Sequence, residues 1–533
     1  MNCWRRSICR QIRNVLCSPG EVVYLKPDHS MIERLPTGIP GFDHIANGGL
    51  PRGRTTLVAG TAGSAKTVFA AQFLAAGIEH GEAGVFVTFE ESPTDLRRNM
   101  YGFGWDITEW EAQNRWAFVD ASPQHDEELT VIGAYDLGAL LARIEHAVKR
   151  TGATRVSMDS LGAIFTRLND SRLVRNEMLR IAVRIKALGV TAVITAERSQ
   201  EYGEIARYGV EEFVADDVVI LRNLLEEEKR RRTVEILKFR GTTHQKGSFP
   251  FTVIPGRGIV VIPLSAIELK QRSSSLRITS GNSEMDRMCG GGFFRDSIIL
   301  VSGATGTGKT LMATSFMAAG AVRGERSLLF AFEESRDQLF RNATGWGVDF
   351  EQMESDGLLR VVCNYPEVTG MEDQLISMQS EIASFRPQRV AIDSLSALER
   401  ASTIKSFREF VIGLTSFIKH QEMAGLYTST TPTLLGGTSI TEAHISTITD
   451  SIILLRYVEL FGEMRRGLTV LKMRGSSHDK EIREFTIDGA GMHIGRPFRN
   501  ISGILSGQFT HLTPSEIERL STMFRDDEHE AAG

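Results

Sequence analysis

Two glycine-rich segments of the sequence have the residue types and the spacing that bind nucleotide phosphates. The segment at 303–310 fits the pattern G-x-x-x-x-G-K-[S/T] throughout, and the segment at 60–67 departs from it only at Ala65. Backbone N–H groups of such a loop face the phosphates, its lysine reaches the β- and γ-phosphates and its hydroxyl ligates Mg²⁺. Alanine is acceptable at residue 65 if its φ is negative. We therefore expect two ATP sites, the first altered but working.

Acidic residues end other apolar runs of strand length in each half of the sequence. Asp159 and Asp393 are placed like the carboxylate that orients Mg²⁺ beside such a loop, although each alone could be a turn or cap residue. Two glutamate pairs end further runs: Glu90 with Glu91, and Glu333 with Glu334. A carboxylate there can accept the proton of an attacking water or hydroxyl. We assign this chemistry to the first glutamate of each pair and a supporting role to the second.

These blocks recur in the same order at an almost constant offset, which indicates two duplicated domains. A Lys-x-Arg-Gly block recurs as well, at 238–241 and 472–475. In a ring assembly such residues can reach the neighbour's γ-phosphate as arginine-finger equivalents, and the alternative is a solvated hairpin end. The first copy is longer around 122–128, a polar stretch that is either a docking loop or an idle one. The charged run at 226–232 is interpreted as a solvated hairpin turn.

The elements that must position these residues predict an α/β fold. Apolar runs of strand length lead into each glycine-rich loop at 55–59 and 297–302, alanine-rich helical segments follow at 68–78 and 311–322, and further strands are expected at 85–89 and 328–332. Alternation of strand and helix predicts a mostly parallel sheet with ligands at the carboxyl ends of its strands. We divide the chain into an arm (1–30), a first domain (31–262), a linker (263–275), a second domain (276–497) and a tail (498–533).

The bulk composition narrows the function classes. The chain has 533 residues and a net charge of −5, which weakens a DNA-dependent recombinase or helicase interpretation, so no nucleic acid is expected. Five scattered cysteines argue against disulfides and zinc and fit a reducing cytoplasm. The sequence has no apolar run long enough to predict a membrane-spanning helix. The basic amphipathic pattern at 4–16 is interpreted as a disordered arm, with a membrane-surface or targeting helix as the alternative.

Several segments together resemble the KaiC family of circadian clock proteins, within the RecA-like ATPases. They are Cys-Gly-Gly-Gly-Phe-Phe at 289–294, the loop at 303–310, Ile-Asp-Ser-Leu-Ser-Ala-Leu at 392–398 and His-Ile-Ser-Thr-Ile-Thr-Asp at 444–450. The resemblance covers about 31–524. It implies two tandem RecA-like P-loop domains in a double-ring homohexamer with ATP at the subunit interfaces. It also implies a slow ATPase in the first domain and a Ser/Thr autokinase, and by reversal an autophosphatase, in the second.

The resemblance implies a role for individual residues. The phosphorylated hydroxyls map onto Ser446 and Thr447, with Thr441 nearby and Arg400 as a partner for phosphate; taken alone, 446–447 would be no more than polar residues before a strand. ATP contacts in the first domain would be Thr61, Gly63, Ser64, Ala65, Lys66, Thr67, Val68, Lys238, Phe239, Arg240, Thr242 and His244. Those in the second would be Thr305, Gly306, Thr307, Gly308, Lys309, Thr310, Leu311, Trp346, Arg466, Lys472, Met473, Arg474, Gly475, Ser476, His478 and Lys480. Mg²⁺ would be held by Thr67 and Asp159, and by Thr310, Glu333 and Asp393.

Partners are implied by the same resemblance. A KaiB-like protein would dock on the first domain near 135–144, and an output histidine kinase is a further candidate. A KaiA-like activator would bind the C-terminal tail, but the sequence diverges after residue 498 and ends in a short acidic stretch, which leaves KaiA dependence open. A scaffold in which ATP only holds the ring together is the remaining alternative.

Overall fold

The computed structural model describes residues 32–122, 137–160, 162, 171–205, 215–226, 228–263, 273–431, 445–460, 462–499, 501–504 and 510–511. Five expectations from the sequence lie wholly or mainly outside these residues: the N-terminal arm, the polar stretch after 122, most of the linker, Thr441 and the acidic tail. Among the described residues no helix is both long enough and apolar enough to cross a membrane.

The first domain is built on a nine-stranded sheet. Its elements in chain order are β1 (Arg34–Leu35), α1 (Phe42–Ile45), β2 (Leu50–Pro51), β3 (Thr55–Gly60), α2 (Lys66–Glu79), β4 (Gly84–Thr88), α3 (Pro93–Tyr101), α4 (Ile107–Ala112), β5 (Trp116–Asp120), α5 (Leu137–Thr151), β6 (Arg155–Asp159), α6 (Ser171–Ala187), β7 (Thr191–Glu197), β8 (Asp217–Glu226), β9 (Lys229–Phe239), β10 (Ser248–Ile254) and β11 (Gly258–Val261). The order across the sheet is β11-β10-β9-β8-β3-β7-β6-β4-β5. Six neighbouring strands in this order, from β8 through β3, β7, β6 and β4 to β5, are parallel. Strands β9, β10 and β11 extend the sheet with antiparallel pairing.

The second domain repeats this plan. Its elements are β12 (Arg277–Ile278), α7 (Ser283–Met288), β13 (Phe293–Phe294), β14 (Ile298–Gly303), α8 (Lys309–Val322), β15 (Ser327–Ala331), α9 (Arg336–Gly345), α10 (Phe350–Ser355), β16 (Leu359–Cys363), α11 (Met371–Phe385), β17 (Arg389–Asp393), α12 (Leu395–Arg400), α13 (Ile404–His420), β18 (Ala424–Thr430), a 3₁₀ turn (Ile445–Thr447), β19 (Ser451–Leu460), β20 (Glu463–Met473), β21 (Arg483–Asp488), β22 (Gly491–Pro497), β23 (Ile501–Ser502) and β24 (Thr510–His511). The sheet order is β16-β15-β17-β18-β14-β19-β20-β21-β22. The predicted fold class is confirmed in both halves.

The apolar runs form central strands because helices cover both faces of each sheet. Every residue of β3 and of β14 is buried, as expected for parallel strands with no solvent-facing side. Accordingly, two large hydrophobic clusters lie on opposite sides of each sheet. Helices α2 and α8 are buried along most of their length, and their small alanine side chains let them lie close against the sheet. The predicted strands at 85–89 and 328–332 are β4 and β15, each beginning and ending one residue earlier.

A buried arginine fastens the phosphate-loop helix to the sheet in each domain. Arg389, at the start of β17, is fully buried and donates from Nε to Glu325 Oε2 at 2.7 Å. Its Nη1 donates to the carbonyl oxygens of Phe316 in α8 (3.0 Å) and of Thr279 (2.8 Å). Arg155 makes the matching contacts in the first domain, with Glu82, Phe73 and Pro36. The guanidinium thus joins the helix, the strand and the chain that enters the domain.

The charged run at 226–232 is not the solvated turn that the sequence suggested. Arg231 is only 9% exposed, and its guanidinium pairs with Glu372 of α11 (Nε to Oε1, 2.9 Å) and with Glu409 of α13. Lys229 Nζ donates to the carbonyl oxygen of Thr369 at 3.1 Å and approaches that of Ala401 at 3.4 Å. The β8–β9 hairpin therefore contacts the second domain, where two glutamates neutralise the charge of Arg231. Beside this contact lies a cavity of about 330 Å³.

Replacing Arg389 tests the buried contact. We expect Arg389→Ala to lower the free energy of unfolding by about 3–5 kcal/mol, because it leaves the Glu325 carboxylate partly buried without its counter-charge. Arg287→Ala, which removes an exposed pair with Glu284, is the control and should cost under about 1 kcal/mol. Urea denaturation followed by circular dichroism measures both. Equal losses in the two variants would contradict the role given to Arg389.

Candidate functional site

The two glycine-rich loops have the same internal geometry. Strand β3 leads into the first loop and α2 follows it, while β14 and α8 flank the second. In each loop a hydroxyl closes a tight turn: Ser64 Oγ donates to the carbonyl oxygen of Thr61 at 2.8 Å, and Thr307 Oγ1 donates to that of Ala304 at 2.7 Å. Both loops therefore present a helix N-terminus at the carboxyl edge of the sheet, where it can face phosphate.

The expectation that Ala65 keeps a negative φ is wrong. Its φ is +70°, in the left-handed region, and the equivalent Gly308 has a φ of +109°. The chain has to turn here from the loop into the first turn of the helix, and glycine does so without steric cost. Ala65 instead accepts a strained backbone, and it packs against the hydrophobic cluster of its domain.

The loop lysines fold back onto their own loops. Lys66 Nζ donates to the carbonyl oxygen of Thr61 at 3.0 Å, and Lys309 Nζ donates to those of Gly303 (3.0 Å) and Ala304 (2.9 Å). Burial lowers the pKa of both lysines. The carboxylates that oppose this effect are Asp159, Glu197, Glu90 and Glu201 around Lys66, and Asp393 and Glu333 around Lys309. The first site is thus the more acidic of the two.

Glu201 is a site residue that the sequence did not reveal. Its carboxylate accepts hydrogen bonds from Thr61 Oγ1 in the first loop (2.5 Å) and from the backbone N–H of Asn223 (3.1 Å). Because Glu201 belongs to no repeated block, no pattern in the sequence could single it out.

The two predicted metal-orienting aspartates end the strands beside the loops. Asp159 Oδ1 accepts from Thr195 Oγ1 on the neighbouring strand, and Asp393 Oδ1 accepts from Thr428 Oγ1 in the same way. Thr310 of the second loop also bonds to Asp393, whose pKa is raised by burial. Among the described residues no group of three or more His, Cys, Asp or Glu side chains could by itself hold a metal. One carboxylate and one hydroxyl suit Mg²⁺ that is also bound by nucleotide phosphates.

The second glutamate of each pair is tied to the helix that follows it. Asn99 Nδ2 donates to Glu91 Oε2 at 3.1 Å, and Asn342 Nδ2 donates to Glu334 Oε2 at 3.0 Å. Burial, reinforced by the nearby aspartate, raises the pKa of Glu91 and of Glu334. Serine N-caps begin both helices directly after the pairs, which fixes their place at the strand ends. The second glutamates therefore have a structural partner already.

The first glutamates differ between the domains. Ser160 Oγ, from the residue after the first aspartate, donates to Glu90 Oε1 at 2.8 Å. Glu333 Oε1 instead accepts from Arg400 Nη2 at 2.6 Å, although Arg400 was expected to partner phosphate. Ser394 is aligned with Ser160, and its Oγ is buried with no hydrogen-bond partner among the described residues.

The Lys-x-Arg-Gly blocks lie far from the loops of their own domains. Phe239 of the first block pairs with Asp217, and Asp217 pairs with Thr56 near the start of β3, whereas the loop begins after Gly60 at its end. About four strand residues, or roughly 13 Å, separate the two. Strands β9 and β20 continue into the blocks, so each lysine lies within its strand rather than after it. One chain therefore does not bring loop and block together.

The expected phosphate acceptors share this opposite edge. Lys472 Nζ donates to the carbonyl oxygens of Ser446 (2.8 Å) and Thr449 (2.7 Å), and Arg474 Nη2 donates to that of Thr447 (2.8 Å). The block thus holds the 3₁₀ turn that carries both hydroxyls. Neither hydroxyl lies at the carboxyl edge where the loop and glutamates of the same domain stand.

The other expected ATP contacts lie in three different places. His244 stacks edge-on against Phe239 at 5.4 Å between ring centroids, and burial lowers its pKa, so this ring belongs to the block edge. Ser476 accepts from Arg277 at the same edge of the second domain. Arg466 lies over the ring of Tyr457, whose hydroxyl approaches the loop carbonyl of Thr305 at 3.5 Å. Trp346 follows α9 and packs against a hydrophobic cluster.

A buried acid lies beneath the first block. Asp217 has no exposed surface and accepts the backbone N–H of Arg240 at 3.2 Å. Burial, reinforced by Asp216, raises its pKa to about 7, against the smaller opposing effects of that N–H, Arg54 and Arg34. The aligned residue in the second domain is Ser451, so this acid is a feature of the first domain.

Comparison with known proteins gives matches along nearly the whole chain. The family described as "ATPase: KaiC" matches twice, over residues 35–266 and 278–498. A relative in Synechocystis sp., named circadian clock protein KaiC3, is 70% identical over 92% of this chain and 98% of its own length. Relatives named circadian clock oscillator protein KaiC are 54% identical: that of Thermostichus vulcanus over 94% of this chain and 96% of its own length, and that of Rippkaea orientalis over 93% and 95%.

The conformation at residue 65 predicts opposite effects in the two loops. Ala65→Gly should stabilise the protein by up to about 1 kcal/mol, because glycine removes the left-handed strain but adds entropy to the unfolded chain. Gly308→Ala should destabilise it by about 1–2 kcal/mol, since an added Cβ would also meet Ile487 Cδ1 at 2.8 Å. Thermal unfolding measures both shifts. Changes of the same sign would show that the two positions are not equivalent.

The buried acid predicts a pH dependence of stability. Between its ordinary value of 3.8 and about 7, the folded chain keeps a proton on Asp217 that the unfolded chain loses, so the free energy of unfolding falls as the pH rises through this window. Asp217→Asn removes this loss. Relative to the parent, the variant should gain up to roughly 4 kcal/mol between pH 4 and pH 8.

Urea denaturation at the two pH values, followed by tryptophan fluorescence, measures this gain. The first domain supplies Trp105, Trp110 and Trp116 to the signal and the second supplies Trp346. A difference between variant and parent that stays constant with pH would contradict the assignment.

Proposed function

The chain belongs to the KaiC family of ATPases, and from this premise we propose that it is a timekeeping protein that hydrolyses ATP in its first domain and phosphorylates its own Ser446 and Thr447 in its second. The names of its relatives support the timekeeping role. The observation that carries the chemical proposal is the division of each domain into two edges. One edge has the phosphate loop, the aspartate and the glutamates, and the other has the Lys-x-Arg-Gly block and, in the second domain, the acceptor hydroxyls.

The two edges support assembly into a ring. Residues that serve one ATP lie on opposite sides of a domain, so they can meet only across the boundary between two copies arranged head to tail. Head-to-tail contacts that close by rotation generate rings. We propose the double-ring homohexamer that the family resemblance implies, with ATP between neighbours. A KaiB-like protein would dock near α5, and the KaiA-like and histidine kinase partners are carried over from the resemblance alone.

In the first domain the proposed reaction is hydrolysis. Glu90, held by Ser160, would accept a proton from the attacking water, and Lys66 would balance the charge that develops on the phosphates. Thr67 and Asp159 would hold Mg²⁺, which screens and orients those phosphates when bound. Arg240 of the neighbouring copy would approach the γ-phosphate. The strained loop and the additional carboxylates around Lys66 agree with a slow enzyme.

In the second domain the proposed reaction is phosphoryl transfer between copies. The hydroxyl oxygen of Ser446 or Thr447 of one copy would attack the γ-phosphorus bound at Lys309 of the next, while Glu333 accepts the hydroxyl proton. The bond to the oxygen shared with the β-phosphate breaks, and ADP leaves. The reverse transfer to ADP would return ATP. The carbonyl contacts of Lys472 and Arg474 hold the acceptor turn in place.

Labelled ATP tests the kinase. We expect Ser446→Ala/Thr447→Ala and Glu333→Gln each to reduce incorporation of γ-phosphate at least tenfold, with Glu90→Gln as the matched control that keeps it. Mixing subunits should restore label to the Glu333→Gln chain when the double variant supplies the intact base, because transfer occurs between copies. Unchanged labelling of the double variant would rule out these acceptors, and failure of the mixture would rule out transfer between copies.

A further inference from the structure

We infer that the serine after each metal-orienting aspartate, Ser160 and Ser394, is a positioning residue for the glutamate base, and that Arg400 holds Glu333 away from that position in the second domain. The inference rests on the proposed function, because it assigns how the base of each site is set. It also explains why two equivalent sites hold their first glutamates differently.

In the first domain the proposed base, Glu90, is hydrogen-bonded to the serine. Ser160 is 4% exposed, and its hydroxyl donates to Glu90 Oε1 at 2.8 Å. That bond occupies one carboxylate oxygen and leaves the other to accept a proton. It also limits rotation of the carboxylate, so that the free oxygen faces one direction. A base fixed in this way needs no rearrangement before reaction.

The second domain has the same serine without its partner. Ser394 is fully buried, yet its hydroxyl has no hydrogen-bond partner among the described residues. A hydroxyl removed from water and left unpaired is unfavourable, and such groups are rare enough in native proteins that each needs an explanation. Ser394 follows Asp393 as Ser160 follows Asp159, and Glu333 is aligned with Glu90. The partner that fits is Glu333.

Arg400 explains why the bond is missing. Its Nη2 donates to Glu333 Oε1 at 2.6 Å, at the end of α12, with the arginine side chain 62% exposed. In the described part of the first domain, Glu90 forms no ion pair with an arginine and bonds to Ser160 instead. Among the described residues, the arginine that competes for the base is therefore found only in the domain that carries the expected phosphate acceptors.

An ion pair this exposed is weak and easily exchanged. A phosphate carries more negative charge than a carboxylate and binds arginine through several oxygens. A phosphate brought near Arg400, either on ATP or on the neighbouring copy's acceptor, would therefore displace Glu333. The freed carboxylate would turn to Ser394 and take up the arrangement that Glu90 already has.

The test uses the full-length chain and two substitutions of Ser394. Ser394→Ala should lower the single-turnover rate of phosphoryl transfer from saturating ATP about ten- to a hundredfold, the range for losing a group that orients a reacting one, with the concentration of ATP for half-maximal rate changed less than twofold. Ser394→Thr, which keeps the hydroxyl, should restore the rate to within about threefold. A merely structural role would alter ATP binding as well and would not favour threonine over alanine.

Two further variants complete the test. Ser160→Ala should lower ATP hydrolysis by the first domain by a similar factor, measured with Glu333→Gln present to silence the second. Arg400→Ala should speed the first transfer in unphosphorylated protein, and adding Ser394→Ala to it should remove that gain.

The outcomes separate the inference from the proposed function. A rate within twofold of the parent for Ser394→Ala, while Glu333→Gln abolishes labelling, overturns the inference and leaves the kinase intact. Labelling that survives Glu333→Gln overturns the proposed base itself. Loss of ATP binding in Ser394→Ala together with unchanged hydrolysis in Ser160→Ala also overturns the inference.

Discussion

The buried arginine at the start of β6 and of β17 is the interaction on which each ATP site depends. Its guanidinium bonds to carbonyl oxygens of the phosphate-loop helix, so helix and strand are joined at one end. The same strand ends at the aspartate beside the phosphate loop, and a strand is too stiff to let the distance between its two ends vary. A buried contact at the opposite end of the strand therefore sets the position of the carboxylate beside the loop hydroxyl.

How much of this the sequence could predict depended on the range of the interactions. Loops, central strands and the aspartates follow from local patterns, and the repeat supplied each pattern twice. The conformation of Ala65 did not follow, because a residue type does not specify its φ where packing compensates strain. Arg231 was misread because a charged run looks the same whether it faces water or paired glutamates on another domain. Glu201 and the contact between Arg400 and Glu333 join residues distant in the chain, and no local pattern contains them.

Duplication has preserved the framework and changed the side chains that face the reaction. Both domains keep the buried arginine, the aspartate with its threonine, and the second glutamate with its asparagine. They differ at the first glutamate, which bonds to Ser160 in the first domain and to Arg400 in the second, and at Asp217, whose aligned residue is Ser451. These differences concern charged groups beside the phosphate loop or beneath the Lys-x-Arg-Gly block. The two reactions proposed above could therefore share one scaffold, because the residues that hold the fold are not those that differ around the loop.

Arg231 lies between two glutamates of the second domain, and this contact restricts rotation of one domain relative to the other. A flexible tether alone would let one domain turn about the long axis of the chain relative to the other. An ion pair that is almost closed to water, reinforced by backbone contacts from Lys229, removes that freedom. In any closed assembly of these chains, each first domain would then keep a fixed rotation relative to the second domain of the same chain. A change in how neighbouring copies contact each other through their first domains would then strain the contacts between their second domains.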